Sequence, residues 1–314
     1  MAASDANRAA VKIITYDQIR NPYQFLKLME PAFGWMTDPR KIAKWRKTDA
    51  RYRSPYGFAL QQGRNVLGFV GVADIPARRL DGKTENVGGI FAVATDPGHC
   101  RAGTATRLLE RAHQHFREKG YRFSVLCTSQ ALVARSLYLK LGYQDIDSVN
   151  ATPRAYRYYP EKKVRPSKQK RQPDRDRIQL IFDRDLKHRT GFASRIPNWL
   201  EAVMTQRELK PDAVIVRRDG YAFAEPWGDA LFVSEIVADN RPAYQKLLKL
   251  LVKRTKRMLV IGYVQDAVLA GILRRQGFFF RKSRHFTFMA KPLVGVSFDQ
   301  VFGNRFYLSG LDVF

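Results

Sequence analysis

Apolar and polar positions divide the chain into two runs of elements that follow the same order. In the first run, VKIITY (11–16) predicts a strand. PYQFLKLMEPAFGW spaces Phe25, Leu26 and Met29 at helical intervals, with Pro31 expected to break the helix. DPRKIAKWRKTDARY predicts a second helix, with Asp38 as N-cap and Pro39 at the first helical position. YGFALQQ (56–62) turning at GRN into VLGFVGVADI (66–75) predicts a hairpin, and VGGIFAVAT (87–95) a further strand. ATRLLERAHQHFREKG then places Leu108, Leu109, Ala112 and Phe116 on one helical face and ends at Gly120. YRFSVLCTS (121–129) is a buried strand, ALVARSLYLKLGY (131–143) a helix closed by Gly142, and AYRYYP a last strand.

The segment EKKVRPSKQKRQPDRDR (161–177) has no apolar periodicity and is read as a linker. Beyond it the order repeats. RIQLIF (177–182) is expected as a strand, ASRIPNWLEAVMTQ as a helix, and DAVIVRRDGYAFAEPWG as a hairpin turning at Asp219–Gly220. ALFVSEIVA, RMLVIGYV and SRHFTFMAK predict strands, and RPAYQKLLKLLVKRT and DAVLAGILRRQGF predict helices. ALVARSLYLKLGY and DAVLAGILRRQGF are alike, each a helix after a strand that ends in Gly and an aromatic, as an internal duplication would leave them. The expected organisation is a domain over 1–160, a basic linker over 161–177 and a second domain over 178–314.

Charge changes this picture. The 314 residues carry 55 Lys and Arg against 29 Asp and Glu, a net charge of +26. Such an excess points to an anionic partner, either RNA or another polyanion, or a phosphorylated cofactor. Cys100 and Cys127 offer no metal-ligand spacing and no disulfide framework. No apolar run suits a signal peptide or a bilayer span, so a cytoplasmic protein with no membrane partner is expected.

The chemistry concentrates at VATDPGHCRAGTATRLLE (93–110), where a strand passes through Pro97 and Gly98 into a helix. A helix start presents unpaired N–H groups and the positive end of the helix dipole, which suits phosphate. Gly103 and Ala105 allow close backbone approach there. Pro97, Gly103 and Ala105 in this turn, followed by Ala134, Leu137, Tyr138, Leu141, Gly142 and Tyr143, resemble the signature of the GNAT superfamily of acyl-CoA-dependent N-acyltransferases. The resemblance covers roughly 87–143. One departure is Cys100, where the family carries Gln or Arg; Arg101 lies one place along.

The resemblance implies an α/β fold of tandem GNAT-like domains, each a central mixed sheet flanked by helices. It implies acetyl-CoA as acyl donor and a primary amine as acceptor. Val93, Ala94 and Thr95 would lie beside the pantetheine arm, and Arg101, Ala102, Gly103, Thr104, Ala105 and Thr106 would hold the pyrophosphate. Tyr138 would protonate the departing thiolate. The strands around the motif carry no carboxylate for a general base, leaving Asp74, Glu85 and His99 as candidates elsewhere. Two-domain relatives of the enhanced-intracellular-survival family use a C-terminal carboxylate, which would implicate Phe314. In the second half, Asn240, Arg241 and Pro242 lead straight into the helix and Leu273 stands where Tyr138 does, so this copy is expected not to bind acyl-CoA. Glu225 and Glu235 are candidates to meet a cationic acceptor.

An alternative reading keeps the scaffold and changes the task to nucleic-acid or ribosome binding. It rests on the cations of 161–177 and on Arg274, Arg275, Arg281, Lys282 and Arg284 beside Phe278, Phe279 and Phe280. The acceptor and the oligomeric state stay open at this point.

Overall fold

The structure is a computed structural model that describes residues 10–34, 38–164, 172–282 and 286–312. The first-half strands are β1 (Val11–Thr15), β2 (Gly57–Gln62), β3 (Asn65–Arg78), β4 (Thr84–Thr95), β5 (Phe123–Thr128), β6 (Gln144–Asp145) and β7 (Pro153–Tyr158). The second half supplies β8 (Thr190–Gly191), β9 (Val214–Arg217), β10 (Gly220–Trp227), β11 (Ala230–Ala238), β12 (Met258–Ile261), β13 (Phe279–Lys282), β14 (Thr287–Pro292) and β15 (Phe306–Tyr307). The helices are α1 (Pro22–Phe33), α2 (Pro39–Thr48), α3 (Thr104–Glu118), α4 (Ala134–Lys140), α5 (Asp147–Asn150), α6 (Arg175–Leu186), α7 (Trp199–Gln206), α8 (Arg241–Arg254), α9 (Ala267–Arg275) and α10 (Phe298–Phe302).

Two mixed sheets form, each flanked by helices, as the sequence implies. The first runs β1-β2-β3-β4-β5-β14-β6 and the second β13-β7-β12-β11-β10-β9. In each, a short parallel pair, β4 with β5 and β11 with β12, sits among mainly antiparallel strands. The two sheets exchange a strand. β7 leaves the first half to lie between β12 and β13, and β14 leaves the second half to pair with β5 from Thr287↔Thr128 to Pro292↔Phe123. The sheets therefore do not follow the expected limits at 160 and 178. Hydrophobic periodicity cannot report such an exchange, because an interior position next to the edge asks the same of the strand in either sheet.

Other expectations are corrected. RIQLIF is helical, within α6: Ile178, Ile181 and Phe182 are its buried face, and Asp174 caps it through the Arg177 N–H at 2.9 Å. The short apolar run satisfied both periods, and the cap decides it. Pro31 does not break α1, which runs on to Phe33 and stops at Gly34 in the left-handed region. The linker assignment is also cut short, since α6 begins at Arg175 and 165–171 lie outside the described residues.

Helices α3 and α4 cover one face of the first sheet through Leu108, Leu109, Phe116, Leu126 and Tyr138. Within this layer, His113 Nε2 lies 2.8 Å from Tyr143 Oη, which lies 2.7 Å from Ser124 Oγ. Burial, with Lys291 and Arg117 nearby, pushes the His113 pKa down to about 3. A folded-state pKa below the ordinary value means that stability is present above pH ~6.5 and is lost as pH falls towards 3. The urea midpoint is expected to drop between pH 6.5 and 4. His113→Gln, which keeps a hydrogen-bonding group without titrating, should flatten that slope; equal slopes would assign the acid sensitivity elsewhere.

Candidate functional site

The site begins where two strands part. β4 and β5 are paired only at Gly88↔Ser124, Gly89↔Val125 and Ile90↔Leu126. Beyond that β4 continues to Thr95 and β5 to Thr128 without each other. A bulge helps to cause the divergence. Phe69↔Ala94 and Gly71↔Phe91 leave Ala92 and Val93 opposite Val70 alone, and Ala92 sits at φ 49°. An extra residue bends the bulged strand and re-aims its backbone. Val93 and Thr95 are partly exposed at this wedge and Ala94 is buried.

The turn that follows aims its amides outward. Arg101 (φ 63°) and Gly103 (φ 76°) are both in the left-handed region, and Gly103 is the N-cap of α3 with no side-chain capping bond. Among the described residues no acceptor meets the N–H groups of Arg101, Ala102, Gly103, Thr104, Ala105 or Thr106. Successive amides in such a turn form an anion-binding concavity. Arg101, Ala102 and Gly103 are exposed, and a Cβ built on Gly103 would meet nothing within 4 Å. Thr104 is buried instead, because Gly68 on β3 leaves room for it: a Cβ there would come within 2.5 Å of the Thr104 methyl. The whole run thus forms one cradle that fits a diphosphate. Cys100 is an exposed turn residue whose Sγ lies 3.6 Å from the Asp96 carbonyl oxygen.

Tyr138 lies on the α4 side of the sheet, packed with Leu126 and Ile90. Its ring meets Tyr143 edge-on at 5.8 Å, and burial pushes its pKa up to about 12. No hydrogen-bond partner holds its hydroxyl among the described residues.

None of the carboxylate and imidazole candidates from the sequence is free at the wedge. Asp74 pairs with Lys119 at 2.5 Å, Glu85 with Arg122 at 2.6 Å, and His99 with Asp96 at 3.0 Å. Glu235 is saturated in the second half, accepting from Tyr221 Oη (2.6 Å), Tyr307 Oη (2.9 Å) and Arg195 Nη2 (2.5 Å). Glu225 lies beside Arg207 at 4.0 Å, half-buried, with its pKa raised by burial. Phe314 lies outside the described residues.

The tertiary structure brings up a carboxylate that the sequence reading missed. The C-terminal segment returns to the first sheet and buries Asp312. One Asp312 oxygen accepts from the Ser309 N–H (2.9 Å) and Oγ (2.8 Å). The other has no hydrogen-bond partner among the described residues. Burial raises the Asp312 pKa. Its field in turn helps to raise the thiol of Cys127, which is on β5 at the start of the wedge and on the face opposite Tyr138. Beside it, Tyr52 packs edge-on against Phe91 of β4 at 5.1 Å, and the buried Arg51–Asp49 pair accepts a Gln206 amide at 2.8 Å, joining α7 to the first half. No spacing in the sequence links position 312 to position 127; only the return of the chain does.

The second half closes the same features. The Asn240 side chain caps α8 through the Ala243 N–H at 3.0 Å, occupying the place left open at α3. Beyond the β11–β12 pairing lies a cavity of about 250 Å3 whose lining includes Asp185, Asp239, Asp266 and Ser234. Burial and the neighbouring Asp239 push the Asp185 carboxyl up to about 6, the mark of crowded negative charge. Arg189 also lines this cavity and Arg184 pairs with Asp239, and Leu273 is fully buried in the core.

A sequence profile of the acetyltransferase (GNAT) family matches residues 20–143. Over those residues, well under half of the chain, the sequence is similar to that family. The match covers the wedge, the cradle and Tyr138. The fold extends the likeness to both halves. A GCN5-related N-acetyltransferase from Anabaena variabilis superposes with a TM-score of 0.64 at 18% identity, over 91% of this chain and 73% of that one. One from Kribbella flavida gives 0.64 at 14%, over 91% and 72%. Eis1 from Mycobacterium abscessus gives 0.56 at 14%, over 90% and 74%. No curated protein matches the sequence. Among the described residues no helix is long and apolar enough to cross a membrane.

Proposed function

We propose that the protein moves an acetyl group from acetyl-CoA to a primary amine by direct attack, using the wedge and cradle of the first half with Asp312 from the C-terminal segment. The uncapped run of amides from Arg101 to Thr106 beside the β4–β5 wedge carries this reading. The amides hold the pyrophosphate, with the α3 dipole favouring the charge. Val93 to Thr95 offer backbone groups along the wedge, as a strand partner would. The thioester supplies the acetyl group and a thiolate leaving group. Tyr138, protonated throughout the neutral range, holds the proton that this thiolate takes.

On the opposite face Asp312 accepts the proton from the amine. A carboxyl with a raised pKa is a better base than an ordinary one, and Ser309 fixes its orientation. Primary amines of several classes should be screened by free-thiol release: an alkyl monoamine, a polyamine, a peptide N-terminus and a lysine side chain. Thiol release with at least one is expected. Asp312→Asn should lower kcat about tenfold or more and remove the acid limb of the pH–rate profile. A wild-type profile in that variant would exclude Asp312 as proton acceptor. Acetyl-CoA binding without thiol release from any amine would exclude the transfer.

A further inference from the structure

The strand exchange builds a surface that acyl transfer does not use. β13 is the outer strand of the second sheet and pairs with the exchanged β7 in the register Phe279↔Tyr156, Phe280↔Ala155 and Arg281↔Arg154. Alternation sends Ala155 and Phe280 to the face covered by α8 and α9. Tyr156, Tyr158, Phe279, Arg154 and Arg281 fall on the other face. The three consecutive phenylalanines of the sequence are therefore divided: Phe278 and Phe280 belong to the core, and Phe279 does not.

The rings on this face are stacked. Phe279 lies 5.3 Å from Tyr156 at 15° and 6.1 Å from Tyr158 at 17°. Phe279 is 40% exposed and Tyr158 68%. Val260, the next position across the sheet, is fully buried, so the exposed row ends on β7; Trp227, 65% exposed, stands apart, edge-on to Phe232 at 6.0 Å. Exposed rings on a sheet face carry two or three stacked bases in known RNA-binding folds.

The charges match. The Arg281 guanidinium lies 5.8 Å from the Phe279 ring centre, and that of Arg154 5.6 Å from Phe232. Among the described residues neither Arg154 nor Arg281, the two cations of this face, has an acidic partner. The exposed large side chains of this face are all aromatic. A protein-docking groove would add aliphatic ones, whereas planar rings among unpaired cations suit bases joined by phosphates.

We propose that this face binds single-stranded nucleic acid, with bases extending the Tyr156–Phe279–Tyr158 stack and phosphates lying against Arg154 and Arg281. The proposal does not rest on acyl transfer. Fluorescence anisotropy of labelled single-stranded 12-mers, one RNA and one DNA, tests it in the full chain. Poly-glutamate and anionic phospholipid vesicles serve as competitors, and a same-sequence duplex is measured alongside.

Single strands should bind more tightly than the duplex and resist both competitors. The RNA and DNA arms identify the source. Tyr158→Ala and Phe279→Ala should each weaken binding about tenfold with the salt slope unchanged. Arg281→Ala should reduce that slope by about one. Both rings are exposed, so unchanged melting temperatures should accompany these losses. Wild-type affinity in the two ring variants would overturn the proposal, as would equal displacement by poly-glutamate or by vesicles.

Discussion

Gly103→Asp should abolish the thermal shift that acetyl-CoA gives the wild-type protein, with an affinity loss on the order of 100-fold. Aspartate tolerates the left-handed backbone better than most residues, and its Cβ at this position would touch nothing within 4 Å. A carboxylate at a helix N-terminus also favours the helix dipole. The dipole offsets only part of the strain of a side chain at φ 76°, so the unliganded variant should melt a few degrees below the wild type. The same carboxylate stands in the space where the pyrophosphate would sit. It replaces attraction by repulsion and removes at least one charge-assisted hydrogen bond, which is worth about 1.5–3 kcal/mol. The variant thus loses far more affinity than stability, which no general loss of structure would produce. An undiminished thermal shift would mean that the diphosphate is held elsewhere.

Tyr138→Phe should lower kcat by about 100-fold, the lower range for loss of a positioned general acid. Acetyl-CoA affinity should stay within about twofold, because the hydroxyl makes no bond that the ground state needs. The ring packs with Tyr143 and the α3–α4 layer, and phenylalanine keeps that packing. The effect should also depend on the leaving group. An acyl donor whose thiol is more acidic needs less protonation, so the penalty should shrink with it. A wild-type kcat with the natural donor would show that solvent, not Tyr138, protonates the sulfur.

The second half repeats the fold without the open features of the first half's wedge. The Asn240 side chain caps one amide of α8, the Ala243 N–H, where the N-cap of α3 makes no side-chain bond. Carboxylates line the cavity at its own strand divergence, and a buried leucine stands in the place of the phenol. This half also lends β14 to the first sheet and buries Asp312.

Much was legible in the sequence because it depends on neighbours in the chain. A Gly at the mouth of a helix, small residues around it and an apolar face at a period of 3.6 are local facts, and they predicted α3, its cradle and the helix that bears Tyr138. The repeated order of elements likewise followed from local periodicity. The errors were also local. RIQLIF is short enough for its apolar positions to fit a strand or a helix, and Pro31 lies near enough to the end of α1 to be tolerated.

What only the tertiary structure decided concerns residues far apart in number. The exchange of β7 and β14, the approach of Asp312 to Cys127 and the stacking of Phe279 between Tyr156 and Tyr158 each join positions more than a hundred residues apart. Local propensity and periodicity are blind to such meetings. They are settled by which pairing buries the most surface and satisfies the most backbone groups once the whole chain has folded.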